Sequence, residues 1–204
     1  MTIETSQDTT RPDGISPSQT VGPFFHYGLT PGEAYPHVPV SADGHVAARG
    51  TPGEHIIVTG RVLDGEGQPV PDAMIEIWQA DSEGRYAHPN DKRPRASNTF
   101  MGFGRSDTRA DGTFRFETIK PGRVPGPGGK DQAPHLVVAV FGRGMLKQLH
   151  TRLYFEDETA NAEDAILALV PADRRQTLIA AREGQTYSLD IRLQGEDETV
   201  FFDV

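Results

Sequence analysis

The sequence predicts a mainly β protein: an antiparallel β-sandwich with short helices near the C-terminus and a long N-terminal arm. Three observations carry that expectation. The 204 residues include 22 Gly and 16 Pro, punctuation that suits short strands and many turns better than long helices. Several segments show period-2 alternation or short β-branched apolar runs. Helix signals are confined to a late stretch of the chain, 161–182. At this length one core is enough.

The elements follow in order. Residues 1–14 are Thr, Ser, Asp and Gln with little to bury, and are expected to be disordered. The stretch 16–27 is broken by Pro and Gly yet carries Phe24, Phe25 and Tyr27. A solvated tail has no reason to expose three aromatics, so this arm must dock on its own domain or on a partner. Residues 28–53 continue as one long loop. The expected organisation is an arm and loop over 1–53 and a sandwich domain over 54–204.

Strand signals begin with the β-branched run 56–63 and its turn at 64–67. Residues 73–80 alternate faces, and Met74, Glu76 and Trp78 or Gln79 cannot all be interior. Residues 113–119 alternate Phe with polar residues and stop at Lys120-Pro121-Gly122. The Gly- and Pro-rich stretch 122–131 reads as loop. Residues 135–141 read as a buried central strand. The strand at 149–155 puts His150, Arg152 and Tyr154 on one face and Thr151, Leu153 and Phe155 on the other. Asn161 is expected to cap a short helix reaching Val170, with Glu163 and Asp164 in its first turn. Pro171 resets the chain, and 173–182 suits a second helix. Strands at 187–193 and 200–202 complete the set. Glu156, Asp157 and Glu158 read as solvated charge at a strand end.

Composition narrows function. Lys+Arg number 20 against 29 Asp+Glu, a formal net charge of −9, which argues against nucleic acid and against anionic membrane as partners. Cys is absent, which removes disulfides, thiolate nucleophiles and cysteine-ligated clusters. No apolar run approaches the roughly 18 residues of a bilayer span, and 1–13 has no signal-peptide pattern. The expected compartment is the cytoplasm. No phosphate loop, nucleophile elbow or zinc helix motif occurs. The seven His, at 26, 37, 45, 55, 88, 135 and 150, show no close ligand spacing. His135 opens a buried strand after a Gly-rich loop, a place that can aim a ligand. A lone histidine there reads first as a hydrogen-bonded core residue.

Seven strings then occur in order: Pro17-Ser18-Gln19-Thr20-x-Gly22-Pro23, Gly53-Glu54-His55-Ile56, Glu76-x-Trp78-Gln79-Ala80-Asp81, Thr118-Ile119-Lys120-Pro121-Gly122, Ala133-Pro134-His135, His150-Thr151-Arg152-Leu153-Tyr154-Phe155, and Gly195-Glu196-x-Glu198-Thr199-Val200-Phe201-Phe202-Asp203. From about residue 16 to the C-terminus the set resembles the intradiol ring-cleavage dioxygenases. Within that family it is most similar to the alpha chains of hetero-oligomers that act on protocatechuate.

The resemblance implies a specific division of labour. Catalytic chains of the family hold a non-haem Fe(III) with two Tyr and two His, a hard cation matched to anionic phenolate oxygen. The matching positions here are Tyr86, Val124, His135 and Val137. Two of the four are aliphatic, so the resemblance implies no metal on this chain and iron on a beta-chain partner. The Arg and Gln that flank the catalytic site are exchanged, giving Gln132 and Arg152. We expect the Arg152 guanidinium to occupy the vestigial cavity beside Tyr86. The family's alpha arm lines the partner's pocket, which singles out Thr20 and Pro23, with Phe24 where relatives carry a tyrosine. The resemblance also implies that the Arg of a Phe-x-Arg-Gly turn lies near that pocket, and Arg143 in Phe141-Gly142-Arg143-Gly144 matches it; a cation there would attract a substrate carboxylate.

The implied reaction is O2-dependent intradiol cleavage of 3,4-dihydroxybenzoate to 3-carboxy-cis,cis-muconate. In it this chain supplies wall, arm and interface within a higher oligomer of alpha–beta units. The rival readings are a self-sufficient dioxygenase using substitute ligands such as His88 or Tyr154, a transthyretin-like carrier without activity, and a homo-oligomeric relative acting on catechol or hydroxyquinol.

Overall fold

The computed structural model describes residues 19–31, 37 and 39–203. The expected disorder of 1–14, the start of the arm at 16–18 and part of the 28–53 loop lie outside the described residues. Eleven strands follow: β1 (His55–Leu63), β2 (Met74–Trp78), β3 (Phe103–Asp107), β4 (Thr113–Ile119), β5 (Val124–Pro125), β6 (Asp131–Gln132), β7 (His135–Phe141), β8 (Leu149–Phe155), β9 (Ile179–Glu183), β10 (Thr186–Ser188) and β11 (Ile191–Arg192).

Two layers enclose the main core. In the first, β1 pairs antiparallel with β4 and parallel with β10 and β11. In the second, β3, β2, β7 and β8 are antiparallel neighbours in that order. Side-chain alternation decides what each strand buries. Val58, Phe114, Phe116 and Tyr187 from the first layer meet Ile75, Ile77, Leu136, Val138, Leu153 and Phe155 from the second. The intervening positions of β2, β7 and β8 face the other way. There Ala133, Tyr154, Leu167, Val170 and Leu178 form a second, smaller core. The two faces expected for 149–155 are the two faces observed.

The mainly β architecture holds, but the sheet is mixed rather than purely antiparallel. Strand β9 pairs parallel with β8 at Tyr154↔Ile179 and Phe155↔Ala180, then antiparallel with β10. A parallel return needs a long crossover, and the chain between Phe155 and Ile179 supplies it. That crossover is where helices were expected. It forms 3-10 turns at Thr159–Glu163, Leu167–Leu169 and Arg175–Leu178. The second expected helix is overturned beyond Leu178, because Ile179 and Ala180 are claimed by the β8 edge. Asn161 does not cap a helix; its Nδ2 donates to the Phe155 carbonyl at 2.7 Å.

Four smaller corrections have equally local causes. Residues 122–131 are not all loop, since Val124↔Gln132 and Pro125↔Asp131 form a short ladder. The expected strand at 187–193 breaks into β10 and β11, with Asp190 turned to Arg61 at 2.6 Å. The expected strand at 200–202 is one bridge, Phe202↔His150. Residues 156–158 are a network rather than free charge. Lys120 Nζ lies 2.9 Å from Asp157 Oδ2 and 2.6 Å from Glu158 Oε1, and Arg182 also pairs with Asp157. Strand β3 was not legible beforehand. It lacks an apolar alternation, and a Cβ at Gly104 would lie 2.4 Å from the Val46 side chain.

Candidate functional site

The outer face of the second layer carries the residues singled out above. Register brings Trp78, Val137 and Arg152 into one row across β2, β7 and β8, with His135 and Tyr154 paired in the next row. Tyr86 stacks on Trp78, ring centroids 6.1 Å apart and planes 10° apart. Gln132 pairs with Val124 across the β5–β6 ladder. Arg152 Nη1 donates to Gln132 Oε1 at 2.7 Å and to Tyr154 Oη at 3.2 Å. All six positions, 86, 124, 132, 135, 137 and 152, therefore meet at one end of β7.

Local structure aims Tyr86. The buried Asp81 carboxylate accepts from the backbone N–H groups of Glu83 at 3.0 Å and Arg85 at 2.9 Å. This winds a tight turn through Gly84, whose φ of +75° suits glycine. Asp91 Oδ2 then accepts from the Tyr86 N–H at 2.9 Å. The Arg93 side chain hydrogen-bonds Asp91 and holds that carboxyl well below the usual range. A recess of about 530 Å³ opens beside Tyr86, lined by Trp78, His88, Asn90, Asp91, Arg93 and Pro125.

Electrostatics follow from burial and from one cation. His135 is 4% exposed. Its Nδ1 lies 2.8 Å from the Ala133 carbonyl. Burial, then the charge of Arg152, pull its pKa down to about 4, so the ring is neutral at pH 7. Burial raises the Tyr86 phenol while the charge of Arg152 opposes it. Burial also raises Tyr154, again against Arg152. Tyr154 donates to Asp164 Oδ1 at 3.2 Å.

Asp164 anchors the assembly. It is 1% exposed. Its carboxylate accepts from the N–H groups of Ala133 at 2.7 Å, Ile166 at 2.9 Å and Leu167 at 2.8 Å, besides Tyr154. Sequence reasoning placed Asp164 only as an acid in a helix turn and gave it no role here. The one available signal was a carboxylate directly before the apolar run 165–170. The Trp78 platform was also missed, although Trp78 sits inside one of the quoted strings.

The other end of the same face is different. Thr20 and Pro23 are exposed, and Phe24 is 77% exposed. Phe25 is 37% exposed and lies against Phe141, centroids 5.8 Å apart. A 3-10 turn at His26–Gly28 sets that geometry. Arg143 follows β7 and is exposed, with Nε 3.1 Å from Asp72 Oδ2. This end lies roughly 20 Å along β7 from His135, at about 3.3 Å per strand residue.

The chain matches the Dioxygenase family model over residues 35–195. It is 46% identical over 197 residues to the protocatechuate 3,4-dioxygenase alpha chain of Burkholderia cepacia, covering 93% of this chain and 97% of that one. This chain belongs to the intradiol ring-cleavage dioxygenases. The beta chain of the Burkholderia cepacia enzyme is 38% identical over 158 residues, 72% of this chain and 67% of that one. Among solved structures, the dioxygenase domain of a dioxygenase–carbohydrate-binding fusion from Streptomyces sp. SirexAA-E superposes with a TM-score of 0.58 at 28% identity. It covers 76% of this chain and 88% of that one. Intradiol dioxygenases use non-haem iron. The resemblance drawn from the seven strings is thereby borne out.

Proposed function

We propose that this chain is the alpha subunit of a protocatechuate 3,4-dioxygenase, completing the active site of an iron-bearing beta chain. The donor set at positions 86, 124, 135 and 137 carries the reading. Two of the four side chains are isopropyl groups without a lone pair. Burial favours the neutral Tyr86 phenol rather than the phenolate. Arg152 brings a fixed cation near enough to act on both Tyr86 and His135. A trivalent metal does not fit beside that charge. His88 and Tyr154 do not repair the set: His88 is exposed, and the Tyr154 hydroxyl is held by Asp164 and Arg152.

On this reading iron belongs to the beta chain, where it activates the catechol substrate toward O2 for ring opening. The products and substrate are those implied above, 3-carboxy-cis,cis-muconate from 3,4-dihydroxybenzoate. This chain contributes Thr20, Pro23 and Phe24 as pocket wall and Arg143 as a cation for the substrate carboxylate. The exposure of these groups beside a docked arm supports that assignment. The assembly is a cytoplasmic higher oligomer of alpha–beta units. No described helix is long and apolar enough to cross a membrane.

Co-expression with a beta chain tests the proposal. Iron should be recovered at one site per alpha–beta pair, with turnover only when both chains are present. Tightly bound iron in the isolated chain, with turnover to match, would overturn it.

A further inference from the structure

Asp72 has no part in the site so far, and its surroundings are unusual. It sits two residues before β2, and its side chain is 11% exposed. Both carboxylate oxygens are shut away from water without an aligned hydrogen bond. Taking a carboxylate out of water without donors costs several kcal/mol unless a cation compensates. The one cation placed to do so among the described residues is Arg143, whose Nε lies 3.1 Å from Oδ2. The N–H is not aimed at the oxygen, so the contact is an ion pair rather than a hydrogen bond. Asp72 and Arg143 come together because Met74 of β2 pairs with Phe141 of β7.

The geometry is one-sided. Asp72 engages the guanidinium at Nε, on the stem side. Nη1 and Nη2 have no acceptor among the described residues, and the Arg143 side chain is 62% exposed. Gly142 and Gly144 flank it, and Gly144 has a φ of +82°, so the neighbouring residues add no side chain that could steady an arginine. The two terminal nitrogens are the pair that grips a carboxylate in bidentate fashion.

We infer that Asp72 is a positioning residue: it holds the Arg143 guanidinium by its stem and presents the two terminal nitrogens to the carboxylate of an aromatic acid. The inference rests on the proposed pocket role of Arg143 and adds the group that makes Arg143 effective. An isolated arginine between glycines would spend its rotamer freedom on binding. A buried counter-charge removes that cost beforehand.

The test uses the alpha–beta complex and compares KM for protocatechuate with KM for catechol, which lacks the carboxylate. Arg143→Ala should raise the protocatechuate KM about tenfold or more, the scale of one charge-assisted contact. Asp72→Asn, which keeps the shape and removes the charge, should raise it severalfold. Catechol KM, kcat and iron content should stay near wild type in Asp72→Asn. In the double variant Asp72→Asn should add nothing further. Arg143→Lys should behave like Arg143→Ala, because one ammonium cannot serve Asp72 and the ligand together. If Arg143→Ala leaves KM unchanged, the pocket role of Arg143 fails. If Arg143→Ala raises KM but Asp72→Asn does not, the inference about Asp72 alone is overturned. A catechol KM that rises equally would mark a structural role and overturn it as well.

Discussion

At the His135 end of β7 the polar side chains are tied to one another. Gln132 holds Arg152, Arg152 holds Tyr154, and Tyr154 holds Asp164. At the Phe141 end Phe24 is 77% exposed, and among the described residues the partner of Arg143 is Asp72, at Nε. One sheet face thus ends in a closed network and in an open surface. The difference is one of satisfaction: polar groups partner one another at one end, and groups are left to solvent at the other. At the closed end the Arg152 guanidinium brings a fixed cation close to Tyr86 and His135, the charge that the proposed reading sets against a metal there. On the proposed reading, the exposed Phe24 and the terminal nitrogens of Arg143, which have no acceptor among the described residues, are where the beta chain and the substrate carboxylate meet this chain. If that contrast is right, substitutions at the closed end should register as stability of the chain alone. Substitutions at the open end should register in the complex.

The largest effect is expected at Asp164. Its carboxylate accepts three backbone N–H groups and one phenol while 1% exposed. Asp164→Ala leaves those four donors buried without an acceptor, which should cost about 3–5 kcal/mol. Urea unfolding of the isolated chain measures it. A loss below 1 kcal/mol would show that water enters readily, and the closed end would not be closed.

His135 gives the next effect, through pH. Its folded pKa is about 4 against 6.5 for the free side chain. Between those values the unfolded chain binds a proton that the folded chain refuses, so stability is lost as pH falls. The contribution is present in full above pH 6.5 and gone below pH 4. A shift of this size corresponds to about 3 kcal/mol at 1.36 kcal/mol per unit. His135→Gln should flatten the acid limb of stability between pH 6.5 and 4. An unchanged limb would place the titration elsewhere.

Legibility in the sequence divides along physical lines. The two faces of β8 were readable because alternation is a local property, and Arg152 duly projects beside Tyr154. The four positions matched to the family's ligand set were picked out by the quoted strings: β7 carries 135 and 137, stacking on Trp78 brings Tyr86 to them, and the β5–β6 ladder sets Val124 beside Gln132. Asp164 was not readable in its real role, because its partners lie at 133 and 154 and meet it only through the crossover. The helix expected over 173–182 failed for a similar reason: Ile179 and Ala180 gain more by joining the β8 edge than by continuing a turn. Strand β3 depends on partners as well. Its Arg105 finds Glu76 across the ladder at 2.5 Å, and nothing in Phe103-Gly104-Arg105-Ser106-Asp107 announces that.

The smallest effect on the chain alone is expected at Phe24, and it sharpens the comparison most directly. Phe24 and Phe25 are adjacent, with the same side chain, yet Phe24 is 77% exposed while Phe25 is 37% exposed and packs on Phe141. Burial predicts opposite outcomes. Phe25→Ala should destabilise the isolated chain by about 1–2 kcal/mol, the value of a partly buried aromatic. Phe24→Ala should change it by no more than about 0.5 kcal/mol, as at other exposed positions. With the beta chain present the order should reverse. Aromatics that end up desolvated at the centre of an interface dominate binding, so Phe24→Ala should weaken assembly by about tenfold or more, or 1.4 kcal/mol. Equal affinity for both variants, measured by titration of alpha into beta, would mean that Phe24 stays in water in the complex. The open end would then be held by Thr20, Pro23 and Arg143 without it.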